Sequence, residues 1–111
     1  MNTAQLFAHH PVTLAPGVTL SGFAGEQLMV THLLFEEAAV GAIHAHPHEQ
    51  ITVVLAGEVE FTLGEERMVL TAGQAVAVPG NVRHGVVART AAAVLDIFTP
   101  IRADLVEKLG I

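Results

Sequence analysis

Glycine and proline recur at short, regular intervals along the sequence, and each is followed by a short run of valine, leucine, threonine or phenylalanine. The turn signals are Pro16-Gly17, Gly22, Gly25, Gly41, Gly57, Gly64, Gly73, Pro79-Gly80 and Gly85. Short strands at such even spacing are typical of an all-β sandwich or barrel. The apolar runs predict strands over residues 28–35, 51–56, 59–63, 68–70, 75–78, 84–87 and 93–98, with further strands before residue 25.

The chain is long enough for one domain with a buried core. It has 111 residues, of which 51% are hydrophobic, and no repeat or linker divides it. We therefore expect a single domain over residues 1–111.

The C-terminal tail differs from the rest of the chain in its helical spacing. Its apolar residues lie four apart, at Ile101, Leu105 and Leu109. Thr99 suits the N-cap, Pro100 the first helical position and Gly110 the end of a helix. The tail therefore predicts one short C-terminal helix that closes or flanks the barrel.

Charge and cysteine content limit the possible partners. The chain has no cysteine, so any metal would be bound through nitrogen and oxygen. Eleven Asp and Glu against five Lys and Arg give a net charge of -6, which leaves no basic face for nucleic acid or anionic lipid. There is no signal-peptide pattern and no apolar stretch of about 20 residues. We expect a cytoplasmic protein that binds neither nucleic acid nor membrane, with an anionic small molecule as the remaining partner.

The segment HAHPHEQ holds three of the seven histidines. Side chains two apart on a strand share a face, so His44 and His46 are expected to point the same way and offer two ligands to one metal. A straight strand rises about 3.3 Å per residue, which would leave Gln50 roughly 20 Å from His44. Pro47 predicts a bend that returns Gln50 to the side of the histidine pair.

A fourth ligand has to come from distant sequence, and His84, just after the turn PGNVR, is the candidate. A histidine-rich loop alone also binds metal adventitiously, so HAHPH by itself leaves that reading open. Glu49 would replace Gln50 only if the strand slipped by one residue, which would exchange its two faces. We assign His48 no ligand role. We expect the remaining histidines to be surface or core residues: His9, His10 and His32.

A second group of candidate residues lies in AVLDIFTPIR, where Val94, Asp96 and Phe98 alternate on one strand face. Burying an unpaired acid is costly, so Asp96 either faces solvent or pairs with an arginine for stability. Alternatively, it is a general acid or base whose pKa is raised by apolar surroundings. Arg102 would bind a carboxylate through its planar fork. Phe98 either offers its ring to a sugar or packs in the core, and the residues alone do not decide.

Two spacings in the sequence resemble a known pair of motifs. His44-x-His46-x3-Gln50-x6-Gly57 resembles the first cupin motif, and Gly73-x5-Pro79-x4-His84 resembles the second. The resemblance covers residues 28–98 and implies a small double-stranded β-helix, the cupin jelly-roll barrel. It implies one divalent metal ion, whether zinc, nickel, iron, manganese or copper, with the ligands His44, His46, Gln50 and His84. Cupins usually have glutamate at the third ligand position, so the neutral Gln50 leaves more of the metal's charge uncompensated.

The tail extends this resemblance to a narrower group. GAIHAHPHEQI together with DIFTPIR resembles the KdgF-type pectin-degradation cupins. That resemblance implies metal-dependent opening of 4,5-unsaturated uronates to linear keto sugar acids, with Asp96, Phe98 and Arg102 nearest the chemistry. It also implies a homodimer. Two alternatives remain: a cupin dioxygenase that uses a redox metal, and a non-catalytic sugar-binding cupin.

Overall fold

A computed structural model describes residues 1–7 and 11–111, so His9 and His10 lie outside the described residues. The described residues form ten strands and one helix. The strands are β1 (Val12–Ala15), β2 (Val18–Ala24), β3 (Met29–Phe35), β4 (Val40–His44), β5 (Glu49–Ala56), β6 (Glu58–Leu63), β7 (Glu66–Thr71), β8 (Ala75–Val78), β9 (His84–Ala88) and β10 (Ala92–Thr99). The helix is α1 (Ala103–Leu109).

The strands form two antiparallel sheets that enclose the core. The larger sheet has the order β1-β2-β3-β10-β5-β8, and the smaller has the order β4-β9-β6-β7. Alternate side chains of each strand point inward, and the most deeply buried include Leu20, Met29, Val54, Val59 and Val78. This arrangement confirms the expected all-β jelly-roll barrel with a short C-terminal helix.

The expected start of the helix is wrong. Thr99 is not an N-cap but the last residue of β10, where it is paired with Glu49 of β5. The sheet ladder therefore continues through Thr99, and the helix begins at Ala103 with Arg102 at the N-cap position and no side-chain capping bond. The expected end is confirmed, because Gly110 adopts a φ of 69° there and its N–H donates to two carbonyls of the last turn.

The helix packs against β2 at one end of the barrel. Leu105 is buried, and a Cβ added to Gly22 would lie 2.7 Å from Cδ1 of Leu109. Gly22 thus permits the close approach of helix and strand, which also brings the preceding residue Arg102 to the barrel rim. In the described part of the chain, no helix has the length and apolar character needed to cross a bilayer.

Candidate metal centre

Three imidazoles converge on one point, two of them buried and one, that of His44, exposed. His44 ends β4 and is directly opposite His84, the first residue of β9. His46 lies two residues beyond β4, so the pair does not share one strand as expected; the chain has already left the sheet. One ring nitrogen from each histidine lies within 4.8 Å of the others. The three rings therefore surround a single point, although His44 and His46 reach it from different local structures.

The backbone fixes which nitrogen of each ring is available. The Nδ1 atoms lie close to carbonyl oxygens: His44 to Ala42 at 2.8 Å, His46 to His48 at 3.1 Å and His84 to Val82 at 2.8 Å. A carbonyl oxygen only accepts, so each Nδ1 carries the proton and donates it, leaving a lone pair on Nε2. Burial lowers the pKa of His46 and that of His84, which keeps both rings neutral near pH 7. His46 and His84 are therefore in the protonation state that metal binding requires.

Gln50 joins this cluster through a chain of hydrogen bonds on β5 and β10. Its side-chain amide donates to the Thr52 hydroxyl at 2.9 Å, and that hydroxyl donates to the Asp96 carboxylate at 2.6 Å. With the NH₂ group so engaged, the Gln50 amide oxygen points toward Nε2 of His46, 3.0 Å away. With the proton on Nε2 this contact is a hydrogen bond, and with the proton on Nδ1 both atoms are acceptors that one cation can bind.

The donor set fits a divalent metal ion. His84 is only 2% exposed, and its buried Nε2 atom has no hydrogen-bond partner among the described residues. A buried polar atom without a partner is costly unless something binds it. Three imidazole nitrogens and one amide oxygen suit zinc, nickel, copper or iron(II), and the geometry does not select one of them. His44, His46 and His84 thus come together, with the Gln50 amide oxygen 3.0 Å from His46, and the expected ligand set of these four residues stays a prediction.

Asp96 faces a cavity of about 310 Å³ that three of the four candidate ligands also line. It lies directly opposite Thr52 across β10 and β5. Burial raises the pKa of Asp96 to about 6, and the hydrogen bond from Thr52 and the charge of Arg102 only partly offset this rise. Among the described residues, the arginine nearest this carboxylate, Arg102, forms its ion pair with Asp104 instead. Asp96 is therefore partly buried on the cavity wall, and among the described residues it forms no ion pair with an arginine.

Arg102 and Phe98 line the same cavity, where Phe98 is 2% exposed and packs in the hydrophobic core. The Cζ atom of Arg102 lies 5.4 Å from the Phe98 ring centroid, and the Phe98 ring lies 5.9 Å from that of His46. Asp104 accepts from Nε of Arg102 at 3.3 Å and from Nη2 at 2.7 Å. An arginine side chain offers five N–H donors, so this pair fixes the guanidinium plane and leaves Nη1 for another acceptor.

The other histidines and Glu49 lie outside the cluster where the structure describes them. The ring of His48 is 5.3 Å from that of His46, and its carbonyl orients His46, but it is not one of the three converging histidines. Glu49 is exposed while Gln50 is 3% exposed, so the strand has not slipped. His32 packs against Phe7 on the outer face of the larger sheet, with ring centroids 4.7 Å apart. Sequence reasoning missed Thr52: its position two residues after Gln50 puts both on one strand face, but only the register shows that Asp96 lies opposite it.

Replacing Thr52 by valine is expected to lower metal affinity about 10- to 100-fold, the usual cost of losing a group that orients a metal ligand. Valine has the same shape but leaves the Gln50 amide free to rotate and one Asp96 oxygen unpaired. Thr52→Ser keeps the hydroxyl and is expected to retain most of the affinity. Competition with a chromophoric chelator measures both variants. Equal affinity of the valine variant and the unsubstituted protein would contradict this role of Thr52.

The fold and cluster agree with comparisons to known proteins. The cupin domain family model matches residues 31–98. Among solved structures, KdgF from a Halomonas species is 34% identical, with a TM-score of 0.84 and coverage of 87% of this chain and 93% of that chain. An RmlC-like cupin from Shewanella frigidimarina is 31% identical, with a TM-score of 0.85 and coverage of 88% and 89%. No curated protein matches the sequence.

A more distant structure shares the fold alone. A salicylate 1,2-dioxygenase variant from Pseudoaminobacter salicylatoxidans is 19% identical, with a TM-score of 0.75, and the match covers 90% of this chain and 31% of that chain. The family model spans more than half of the sequence, and it includes both histidine motifs and Asp96. On these grounds the chain belongs to the cupin superfamily and is similar to KdgF within it.

Proposed function

We propose that this cupin binds a divalent metal ion and opens 4,5-unsaturated uronates to linear keto sugar acids. One observation carries the proposal: an acid with a raised pKa, Asp96, and an arginine, Arg102, line the cavity that contains the candidate metal ligands. The similarity to KdgF supports the same choice. A site of this composition suits an anionic substrate that needs proton transfer and no change of oxidation state.

Arg102 is the group that binds the substrate carboxylate. Its guanidinium is held by Asp104 on one edge and lies over the Phe98 ring, so the free Nη1 edge is presented in a fixed direction. Arginine recognises carboxylates through such parallel N–H donors. Phe98 supports the guanidinium from the cavity wall beside His46. Together these residues place the carboxylate end of the sugar at the barrel rim.

Asp96 moves the proton that ring opening requires. In the reaction the bond between C1 and the ring oxygen breaks, the C1 hydroxyl becomes an aldehyde, C5 becomes a ketone and C4 gains a proton. Asp96 takes the proton from the C1 hydroxyl and supplies one at C4, so the sugar is neither oxidised nor reduced. A pKa of about 6 suits an acid and base working near neutral pH. A divalent ion bound by the three imidazoles and Gln50 would supply Lewis-acid polarisation of a substrate oxygen.

The test is an NMR time course with the unsaturated monomers that lyases release from pectin and from alginate. Metal-loaded protein is expected to remove the C4 vinyl signal of at least one monomer, both in air and under nitrogen. Chelator-stripped protein is the control, and adding back the metal should restore the rate. An unchanged vinyl signal with protein shown to contain one metal per chain would contradict the proposal. Activity that is present in air and lost under nitrogen would favour the dioxygenase alternative.

We also propose that two copies pair through the outer face of the larger sheet. Ile51 and Ile97 are cross-strand neighbours on that face, and Ile51 and Leu34 are 44% and 46% exposed. Sedimentation is expected to give twice the 11.7 kDa chain mass. Ile51→Glu should shift the mass to that of a monomer, whereas Met68→Glu on the other sheet should not. A monomeric mass for the unsubstituted protein would contradict this pairing.

A further inference from the structure

Thr31 carries a buried hydroxyl with unused hydrogen-bonding capacity. It lies on β3, its exposed fraction is 0%, and its Oγ1 has no hydrogen-bond partner in residues 1–7 and 11–111. Cross-strand register places it directly opposite Asp96 of β10. It lines the same cavity as Asp96 and the candidate metal ligands. A buried hydroxyl without a partner among the described residues is thus present beside the proposed proton-transfer group.

The two branches of the Thr31 side chain have different surroundings. Its Cγ2 methyl lies 3.3 Å from the position that a Cβ would take on Gly22, so the methyl packs toward β2. The hydroxyl is the other branch of the same inward-facing side chain. Packing therefore accounts for the methyl and not for the hydroxyl.

Thr31 and Thr52 flank Asp96 on opposite sides, and only one of them is satisfied by the protein. Register pairs Asp96 with Thr31 on β3 and with Thr52 on β5. The Thr52 hydroxyl donates to Asp96 and accepts from the Gln50 amide. Thr31 makes no such bond among the described residues. Valine would fill the same space without the cost of burying an unpaired hydroxyl, so packing alone does not explain a threonine here.

We infer that the Thr31 hydroxyl forms a hydrogen bond with a hydroxyl group of the sugar acid held against Asp96. This inference rests on the proposed function and adds a binding residue to it. The bond favours hydroxylated ligands, because an apolar ligand in the same position would leave the Thr31 hydroxyl unpaired. Thr31 is therefore a specificity residue on the wall opposite Thr52, while Arg102 binds the carboxylate at the rim.

The experiment compares Thr31→Val and Thr31→Ser with the unsubstituted protein, all metal-loaded. Thr62→Val is the matched control, because Thr62 lies on β6 and does not line the cavity. We measure kcat and KM for the unsaturated uronate, the Kd of the non-reacting sugar acid galacturonate by calorimetry, and the thermal midpoint. For Thr31→Val we expect KM and Kd to rise about 2- to 12-fold with no fall in midpoint, which is the effect of losing one hydrogen bond to a ligand only. Thr31→Ser should stay near the unsubstituted values.

The results separate this inference from the proposed function. Unchanged KM and Kd in Thr31→Val would overturn the inference while turnover by the unsubstituted protein upholds the function. A lowered midpoint in Thr31→Val would also overturn it, because the hydroxyl would then be paired within the protein. Equal losses in the serine and valine variants would assign the effect to the methyl and overturn it too. Galacturonate binding that weakens in Thr31→Val, without turnover by any protein, would support the Thr31 contact and overturn the ring-opening function.

Discussion

Replacing Asp96 by asparagine is expected to lower kcat for uronate opening by about 10²- to 10⁴-fold, the usual contribution of a positioned acid or base. Asparagine has the same shape and keeps an oxygen to accept the Thr52 hydrogen bond, so Gln50 and the metal ligands should stay in place. Metal content should therefore match that of the unsubstituted protein. KM should change much less than kcat, because Arg102 binds the substrate carboxylate in both proteins. The vinyl-signal time course measures the rate.

The matched control for this variant is Glu49→Gln, which removes one negative charge from an exposed neighbour of Gln50. It should leave kcat within about twofold, since surface charges act weakly through water. A kcat for Asp96→Asn within tenfold of the unsubstituted value, at equal metal content, would remove Asp96 from the mechanism.

The pH dependence of stability gives a second check on the Asp96 variant. In the unfolded chain this carboxyl loses its proton near pH 3.8, and in the metal-free folded protein its pKa is about 6. The folded state therefore binds the proton more tightly, and the free energy of unfolding falls as the pH rises between these values. Asp96→Asn should lack this fall. At pH 8 its metal-free thermal midpoint should be no lower than that of the unsubstituted protein, which excludes misfolding as the cause of lost activity.

The barrel could be predicted from sequence because its turns and its strand alternation are local signals. Gly57, for example, has a φ of 81°, and an added Cβ would lie 2.2 Å from the carbonyl oxygen of Ala91, so glycine is required at that turn. The helix start could not be predicted in the same way. Thr99 and Pro100 suit a helix N-terminus by themselves, but pairing of Thr99 with Glu49 extends the strand. Tertiary pairing overrode the local preference.

The candidate ligands could be predicted from motif spacing, whereas the groups that orient them could not. His84 was identifiable because it stands at a fixed distance from Gly73 and Pro79. The backbone carbonyls that set the imidazole tautomers have no sequence signature, since every residue carries one. Thr52 and Thr31 are ordinary strand residues in the sequence. Their roles depend on which residue of β10 lies opposite them, and register across distant strands is a property of the folded sheet.

The site also distributes charge in a way that the motif alone does not reveal. Cupins usually have a glutamate at the position of Gln50, so the candidate ligand set here contains no carboxylate. Asp96 is connected to the Gln50 amide through the Thr52 hydroxyl. Negative charge is thus held two hydrogen bonds from Gln50, on a group that is free to exchange a proton. An acid coordinated directly to a metal would be held ionised and could not take this role.

The second large effect is expected for His84→Ala, which should weaken metal binding by more than about 100-fold. Loss of a group that only orients a ligand costs up to about 100-fold, and loss of the ligand itself should cost more. His84 supplies a buried Nε2 with no other partner in the described residues. The remaining ligands, His44, His46 and Gln50, would leave one side of the ion to water. Uronate opening should be lost to the same extent at metal concentrations that saturate the unsubstituted protein.

The measurement that isolates this effect is the rise in thermal midpoint on adding metal, because each variant is compared with its own metal-free form. A ligand at 1,000 times its Kd stabilises a protein by about 4.1 kcal/mol, and at 10 times its Kd by about 1.4 kcal/mol. At about 4 °C per kcal/mol, the unsubstituted protein should gain roughly 15 °C and His84→Ala roughly 5 °C or less. His48→Ala is the matched control, since this neighbouring histidine is not part of the cluster, and it should keep the full rise. A full rise for His84→Ala would mean that the metal binds elsewhere, and a rise lost equally in His48→Ala would make His48 a ligand.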